Sequence, residues 1–511
     1  MTRRFAVIAA VIALLWANLP YLVGYASSTP DNRFGGFFLY EQDGYSYLAK
    51  MRQGAQGAWE FHLPYTSEDE YQTGGFVYPF YLLLGKLPLD FALVYQAARL
   101  IGSGLLLCMV YRLLARFIHD ERWRGWTWWL LLFSGGWGLL YSFINPQYVA
   151  YELIAPDASI FSMLYGPPHI VMGAALLLWW ISYTLDSFQT DRTQLPRRLL
   201  IANGLGALTA LTREAYGPAF AGIFAAYVIA LALQRRSIPW RKGLIAALSS
   251  ITAGAYGLYL VFAFRASPGL AAWSAQNEFA SPLLIDLMLG FAPLLILAAF
   301  GLWRLYASRN THSGSLVTRY SSLLSAWLII SPVMAYLPIA ISRRLIVGWQ
   351  IPLSIFAAYG WLQLWHRRRV FAVVAASLVL PATLLIILGG TARVQAQQPP
   401  LYITADQQAA LNWLGAHTTD RDVVLSAWEF GSLVPIYAEA RVFIGHPIET
   451  IDFKAKNVLV DQFFTEATAA QRSELIQRWQ ITVIAAEGDR ALADFPVVFQ
   501  SGNVTLYRAT P

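Results

Sequence analysis

The segment Tyr40-Glu41-Gln42-Asp43-Gly44-Tyr45-Ser46-Tyr47-Leu48-Ala49-Lys50, followed by Gly57-Ala58-Trp59, sets a carboxylate among aromatic rings. From Tyr45 onward it can form an interfacial helix, with rings at headgroup depth and Asp43 at the N-terminal end, where the helix dipole favours negative charge. Asp43 could instead only cap that helix, because aspartate accepts readily from the first backbone N–H groups. Glu41 completes a Glu-x-Asp spacing that could help bind a divalent cation, magnesium or manganese. A solvated Glu41 is the plainer alternative, since hard cations need several oxygen ligands.

A second pair able to do chemistry is Arg343-Arg344. A guanidinium fork matches phosphate oxygens in a bidentate way, although two arginines can also snorkel to lipid headgroups. His169, after Pro167-Pro168, could donate to a phosphate or be a structural histidine. Arg213-Glu214 could be a structural ion pair or a substrate contact. Trp273, in Trp273-Ser274-Ala275-Gln276-Asn277-Glu278, could stack on a sugar, yet tryptophan belts occur at membrane interfaces without any ligand. His446, in Gly445-His446-Pro447-Ile448-Glu449-Thr450, follows a strand pattern and could face a membrane site; a strand-to-helix cap through Thr450 accounts for the segment equally well.

These residues lie between or beyond apolar stretches of membrane-spanning length. Only 13% of the 511 residues are charged while 57% are hydrophobic, which excludes a disordered chain and an ordinary soluble enzyme. Candidate spans, about 20 residues each to cross the hydrocarbon layer, fall near 5–25, 90–117, 125–144, 168–186, 198–212, 216–234, 243–264, 283–304, 320–341, 345–365 and 370–390. With the N-terminus in the cytoplasm, 19 of the 29 basic residues before residue 400 fall at inner ends, among them Arg112, Arg116, Arg235, Arg236, Arg309, Arg319 and Arg367 to Arg369. That satisfies the positive-inside rule, and eleven spans then place the C-terminus outside. Arg343 and Arg344 break the pattern by lying at an outer end, and rare charges near membrane depth are functional candidates by default. The first outer loop, 26–89, is long and acidic, as functional loops often are. Residues 396–511 change character: from residue 400 they carry 8 basic and 13 acidic residues, a net −5. Strand-like runs at 423–425, 441–444 and 481–484 alternate with helical patterns at 405–416, 450–465 and 470–479, as in a small α/β domain. The lone Cys108 excludes an intrachain disulfide.

The Asp-Gly-Tyr-Ser-Tyr-Leu-Ala run beyond a first membrane helix, then Gly-x-Trp, resembles the first outer loop of the GT-C glycosyltransferases, the superfamily that includes dolichyl-phosphate-mannose–protein mannosyltransferases and aminoarabinose transferases. The resemblance extends through Thr66-Ser67-Glu68, Tyr78-Pro79-Phe80-Tyr81, Pro167-Pro168-His169, Arg343-Arg344 and the C-terminal domain. It implies an α-helical polytopic membrane protein of about 11 spans, with a GT-C-like membrane domain at 1–395 and an extracytoplasmic α/β domain at 396–511. It implies that Asp43 is the base acting on an acceptor hydroxyl and that Glu68 is a second loop acid, although Asp69 and Glu70 adjoin Glu68. Arg343, Arg344 and His169 would meet the phosphate of a polyprenyl-phosphate sugar. Arg213-Glu214 departs from the His-Pro pair common in the family. The expected partners are that donor, an acceptor glycan, lipid or protein, and membrane lipids, with no nucleic acid. The expected location is the plasma (inner) membrane. Competing readings are a transporter or flippase of lipid-linked sugars and a non-catalytic GT-C-like assembly partner. Transporters commonly show repeated halves and midplane charges; here the unusual charges crowd the outer loop and helix ends.

Overall fold

The computed structural model describes residues 3–277, 281–307, 320–488, 490 and 492–509; Glu278, Arg309 and Arg319 lie outside them. By internal contacts the chain divides into two units: 1–20, 97–258 and 279–390 form one, and 21–96, 259–278 and 391–511 the other. The division at 395 drawn from composition thus differs from the division by contacts, which groups the first outer loop with the C-terminal segment.

The first unit is helical. All eleven apolar stretches contain helix, but the expected count of eleven spans is not confirmed. Among the described residues, six helices are long and apolar enough to cross a membrane: Arg3–Ala26, Phe91–Phe117, Pro168–Ser187, Tyr216–Arg235, Ser342–Arg367 and Arg369–Gln395. The number is eight if two bent pairs each count as one span: Trp240–Ser249 with Ile251–Ala266, bent by 53°, and Leu284–Gly290 with Ala292–Leu305, bent by 80°. The shortfall has local causes. Helix Glu121–Phe133 is 13 residues long and ends before Gly135-Gly136, Ser321–Met334 has 14 residues, and Leu195–Thr212 carries Arg197, Arg198 and Asn203. The protein is an α-helical multi-pass membrane protein. Close packing in this unit depends on small residues, as in lipid-embedded bundles. At the crossing of Ala292–Ala307 with Gln350–Arg367, a Cβ on Gly301 would lie 2.1 Å from the Phe356 carbonyl oxygen, and one on Gly360 2.1 Å from that of Leu297.

The second unit contains the α/β domain. Strands β1 (Asn32–Phe34) and β2 (Tyr402–Thr404) pair antiparallel. The larger sheet comprises β3 (Val423–Leu425), β4 (Arg441–Val442), β5 (Val483–Glu487), β6 (Val497–Ser501) and β7 (Val504–Arg508), in the order β4-β3-β5-β7-β6. Parallel pairing joins β3 to β4 and β5, and antiparallel pairing joins β5, β7 and β6. Successive strand side chains point to opposite faces, which divides the core in two. Val424, Val442, Val483, Ala485 and Leu506 pack against Leu411, Leu414, Phe430 and Val434, together with Tyr45, Leu48 and Met51 of the Glu41–Ala55 helix. On the other face Val423, Leu425, Ile484 and Ala486 meet Val460, Phe463 and Ile476. Helices cover both faces, as a sheet with parallel strands requires. The Glu41–Ala55 helix is seated by a second contact: a Cβ on Gly54 would lie 2.0 Å from the Leu82 carbonyl oxygen, so only glycine admits the Pro79–Gly85 helix there.

Candidate functional site

In the second unit, the helix bearing Asp43 begins at Glu41 rather than at Tyr45. Its N-cap, Tyr40, sits in the left-handed region with φ 56° and makes no side-chain cap. Asp43 is therefore in the first helical turn and is not the cap. Its half-exposed carboxylate lies with Oδ1 3.3 Å from Nε2 of His446, a residue only 2% exposed. The contact is long and is not aligned as a full hydrogen bond. Nδ1 of His446 accepts from the backbone N–H groups of Ile448 and Glu449, each at 3.2 Å. With Nδ1 acting as acceptor, the proton of the neutral ring belongs on Nε2, facing Asp43.

The segment around His446 is a turn, not a helix cap. Thr450 Oγ1 accepts from Gly445 N–H at 3.0 Å, and Gln276 donates to the carbonyls of Ile448 and Thr450. Glu449, in the same turn, accepts at Oε1 from Lys50 at 2.7 Å and from Ser46 at 2.5 Å. Asp43, Ser46 and Lys50 are spaced i, i+3 and i+7, so one face of the Glu41–Ala55 helix addresses the whole turn. Lys50 is fully buried, with its ammonium 4.7 Å from the ring centroid of Tyr78 and 5.0 Å from that of Phe61. Burial alone would raise the Glu449 carboxyl, but the Lys50 charge foremost, with the hydrogen bonds from Lys50 and Ser46, outweighs it and holds the carboxyl below its ordinary range.

Glu68 is placed differently. Lys456 Nζ is 2.7 Å from its Oε1 and 2.9 Å from its Oε2, and Thr66 donates to Oε2. Burial lowers the Lys456 ammonium from its ordinary value, a shift that Glu68 opposes. Both Glu68 oxygens are thus committed to a structural pair. Asp69 accepts from Arg441 at 2.7 Å, so this stretch of the loop is fastened to β4. Trp273 is also buried, with its ring near those of Tyr78 and Phe264. Only 5% of Trp273 is exposed, so little of its ring is offered to a sugar in this arrangement. Among the described residues no group of three or more His, Cys, Asp or Glu side chains is placed to hold a metal ion, and Glu41 and Asp43 share one turn without a third such donor.

In the first unit a cationic cluster forms. Arg213 Nη2 lies 3.2 Å from Asp157 Oδ2, Tyr216 donates to Asp157 Oδ1 at 2.6 Å, and Arg213 Nη1 lies 2.9 Å from His169 Nε2. Arginine can only donate, so His169 accepts at Nε2 and its ring proton belongs on Nδ1. Nε2 is therefore used on Arg213, so a donation from His169 to a phosphate would have to come from Nδ1. Arg344 pairs with Glu214 at 2.9 Å, on the turn Ser342–Ile346 that also carries Arg343. This turn packs against Pro156–Ala158 and the Tyr216–Arg235 helix. Arg343 is close enough to Tyr151 to act on its hydroxyl: burial is the main cause raising that group, Asp157 adds to it and Arg343 opposes. Residues from four separate segments, including Arg213, His169, Arg343 and Arg344, are thus brought together.

No protein-family model and no curated protein matches the sequence. Solved structures do. The aminoarabinose transferase ArnT from Cupriavidus metallidurans, solved bound to undecaprenyl phosphate, is 13% identical with a TM-score of 0.52, over 99% of this chain and 98% of that one. The oligosaccharyltransferase AglB from Archaeoglobus fulgidus, solved with an inhibitory peptide and a dolichol-phosphate, is 15% identical with a TM-score of 0.54, over 94% of this chain and 69% of that one. The apo form of the Archaeoglobus fulgidus oligosaccharyltransferase matches similarly, with 14% identity and a TM-score of 0.53. Both proteins are GT-C glycosyltransferases. The chain has the GT-C fold. Within that GT-C frame, sequence reasoning singled out Asp43, His446, Arg213, Arg343 and Arg344 but not Lys50, Glu449, Lys456 or Asp157. In sequence, each of these four is an ordinary charged residue; only its burial sets it apart. The one local signal was Glu449, which stands three residues after His446.

Proposed function

We propose that this chain is a glycosyltransferase that moves a sugar from a polyprenyl-phosphate donor to an acceptor hydroxyl at the outer face of the plasma (inner) membrane. In this reading the N-terminus is cytoplasmic and residues 396–511 are extracytoplasmic. The observation that carries it is Asp43: a half-exposed carboxylate in a helix's first turn, with Nε2 of a buried histidine 3.3 Å from one oxygen. Asp43 takes the hydroxyl proton as the acceptor oxygen bonds to the anomeric carbon and the bond from that carbon to the phosphate oxygen breaks. Arg343 and Arg344 meet the charge that grows on the leaving phosphate. The donor class is suggested by ArnT and AglB, solved with undecaprenyl phosphate and a dolichol-phosphate respectively. The acceptor would be a glycan, lipid or protein.

The test uses the purified full-length protein in vesicles carrying a radiolabelled polyprenyl-phosphate sugar, with extracted envelope glycans and lipids as acceptors. A transferase converts the donor to polyprenyl phosphate and labels an acceptor. Movement of intact donor between leaflets without consumption would replace this reading with a flippase.

A further inference from the structure

Within the second unit, a cavity of about 400 Å³ opens beside the Glu41–Ala55 helix, a size inside the roughly 300–1,000 Å³ range of sites for small molecules. Tyr45 and Leu48 line it, three residues apart on one face of the helix, whereas Asp43, Ser46 and Lys50 share another face. Phe34 of β1, Ile403 of β2 and Ile436 add apolar wall. Helix ends supply the rest: Tyr25 from the last turn of Arg3–Ala26, and Phe91, Leu93 and Gln96 from the first two turns of Phe91–Phe117. Both helices are long and apolar enough to cross a membrane, so the cavity lies where spans leave the hydrocarbon. Leu89 and Leu93, also in the lining, are 59% and 58% exposed, an apolar surface suited to acyl chains rather than to water. Two opposite charges stand in the same lining. Arg33 and Asp90 are both exposed, and both act on the Tyr437 hydroxyl: burial is the main cause raising that group, Arg33 opposes the rise and Asp90 adds to it. Asp90 Oδ1 accepts from Leu93 N–H at 3.0 Å, as a capping aspartate does, and Oδ2 takes no part in that cap.

We propose that this cavity binds a zwitterionic phospholipid of the surrounding membrane, of the phosphatidylethanolamine class, with an acyl chain among Tyr45, Leu48, Leu89 and Leu93, the phosphate on Arg33 and the ammonium on Asp90. A guanidinium fork donates to phosphate oxygens, and an ammonium donates to a carboxylate. A head group that carries both charges, joined by a two-carbon link, answers both side chains at once. An anionic phospholipid or a polyprenyl phosphate offers nothing to Asp90 and brings a second negative charge beside it. The site stands on its own lining and does not rest on the reading of Asp43 as base.

The experiment places the full-length protein in uncharged maltoside micelles with two photoactivatable phospholipids that share one diazirine-bearing acyl chain, one with an ethanolamine head and one with a glycerol head. Cross-linked peptides are mapped by mass spectrometry. The ethanolamine lipid should label peptides containing Leu48, Leu89, Leu93 or Ile436, and the glycerol lipid should label them about fivefold less, the upper end for one exposed ion pair. Asp90→Asn, which keeps an oxygen for the helix cap, should bring the ethanolamine lipid down to the level of the glycerol lipid. Arg33→Ala should lower labelling by both lipids, again by about fivefold. Both residues are exposed, so thermal unfolding of either variant should stay near that of wild type. Equal labelling by the two lipids in wild type, or an ethanolamine preference that survives Asp90→Asn, overturns the proposal. Label confined to other segments, or unchanged in folded Arg33→Ala, overturns it as well. Neither readout involves sugar transfer, so failure of this site and failure of the proposed function are told apart.

Discussion

Two buried histidines make opposite use of the same ring. In the first unit His169 accepts from Arg213 through Nε2, which places its proton on Nδ1 and leaves it a neutral spacer inside a cationic cluster. In the second unit His446 accepts at Nδ1 from two backbone N–H groups, and its Nε2 lies 3.3 Å from a carboxylate oxygen. The difference lies in the partners. A guanidinium forces the ring to accept, whereas a backbone turn aims the ring as a donor. An arginine-rich cluster is suited to an anion that gains charge, and a carboxylate steadied by a neutral donor is suited to taking up a proton.

The comparison can be broken first at Asp157. Replacing it with Asn leaves Arg213 buried and uncompensated, at an expected cost of about 3–5 kcal/mol. Thermal unfolding in detergent should show that loss, and unchanged stability would mean that the cationic cluster is not held by this pair. Arg343→Ala is expected to leave unfolding nearly unchanged but to slow transfer by about 10²-fold, as loss of one donor to a charged transition state does. Transfer at the wild-type rate in both Arg343→Ala and Arg344→Ala would remove the phosphate role. A smaller effect should come from acid in the second unit. The Glu449 carboxyl is held below its ordinary 4.5 in the fold; its stabilising contribution is complete above 4.5 and is lost as pH falls through the lower folded value. Protection from hydrogen exchange at the Ile448 and Glu449 amides, relative to the unfolded chain at the same pH, should therefore fall below pH 4.5, and the same change should be weaker in Lys50→Met/Glu449→Gln.

How much of this was legible in the sequence depends on whether the signal is local. Apolar runs marked every membrane helix, but not where Gly135-Gly136 or a bend would break one. The strands at 423–425 and 441–442 and the helices Ala405–His417 and Ala469–Trp479 carried clear periodicity. The β6–β7 hairpin, the Trp428–Tyr437 helix and the three-residue β1–β2 pairing did not, being short or stabilised only by tertiary contacts. Asp43 and His446 each stood out singly. Their pairing, like that of Lys50 with Glu449, joins residues some four hundred positions apart, and no local spacing encodes it. Glu68 shows the converse: it resembles a family acid in sequence, yet Lys456 occupies its carboxylate.

The central claim is that Asp43 is the base. It is tested most directly by Asp43→Asn in the full-length protein, measuring transfer of radiolabelled sugar from a polyprenyl-phosphate donor alongside thermal unfolding. Because Asp43 is half exposed, the substitution should leave unfolding nearly unchanged while lowering kcat by roughly 10²- to 10⁴-fold, the usual contribution of a positioned proton acceptor. Wild-type turnover in a folded Asp43→Asn protein would contradict the account.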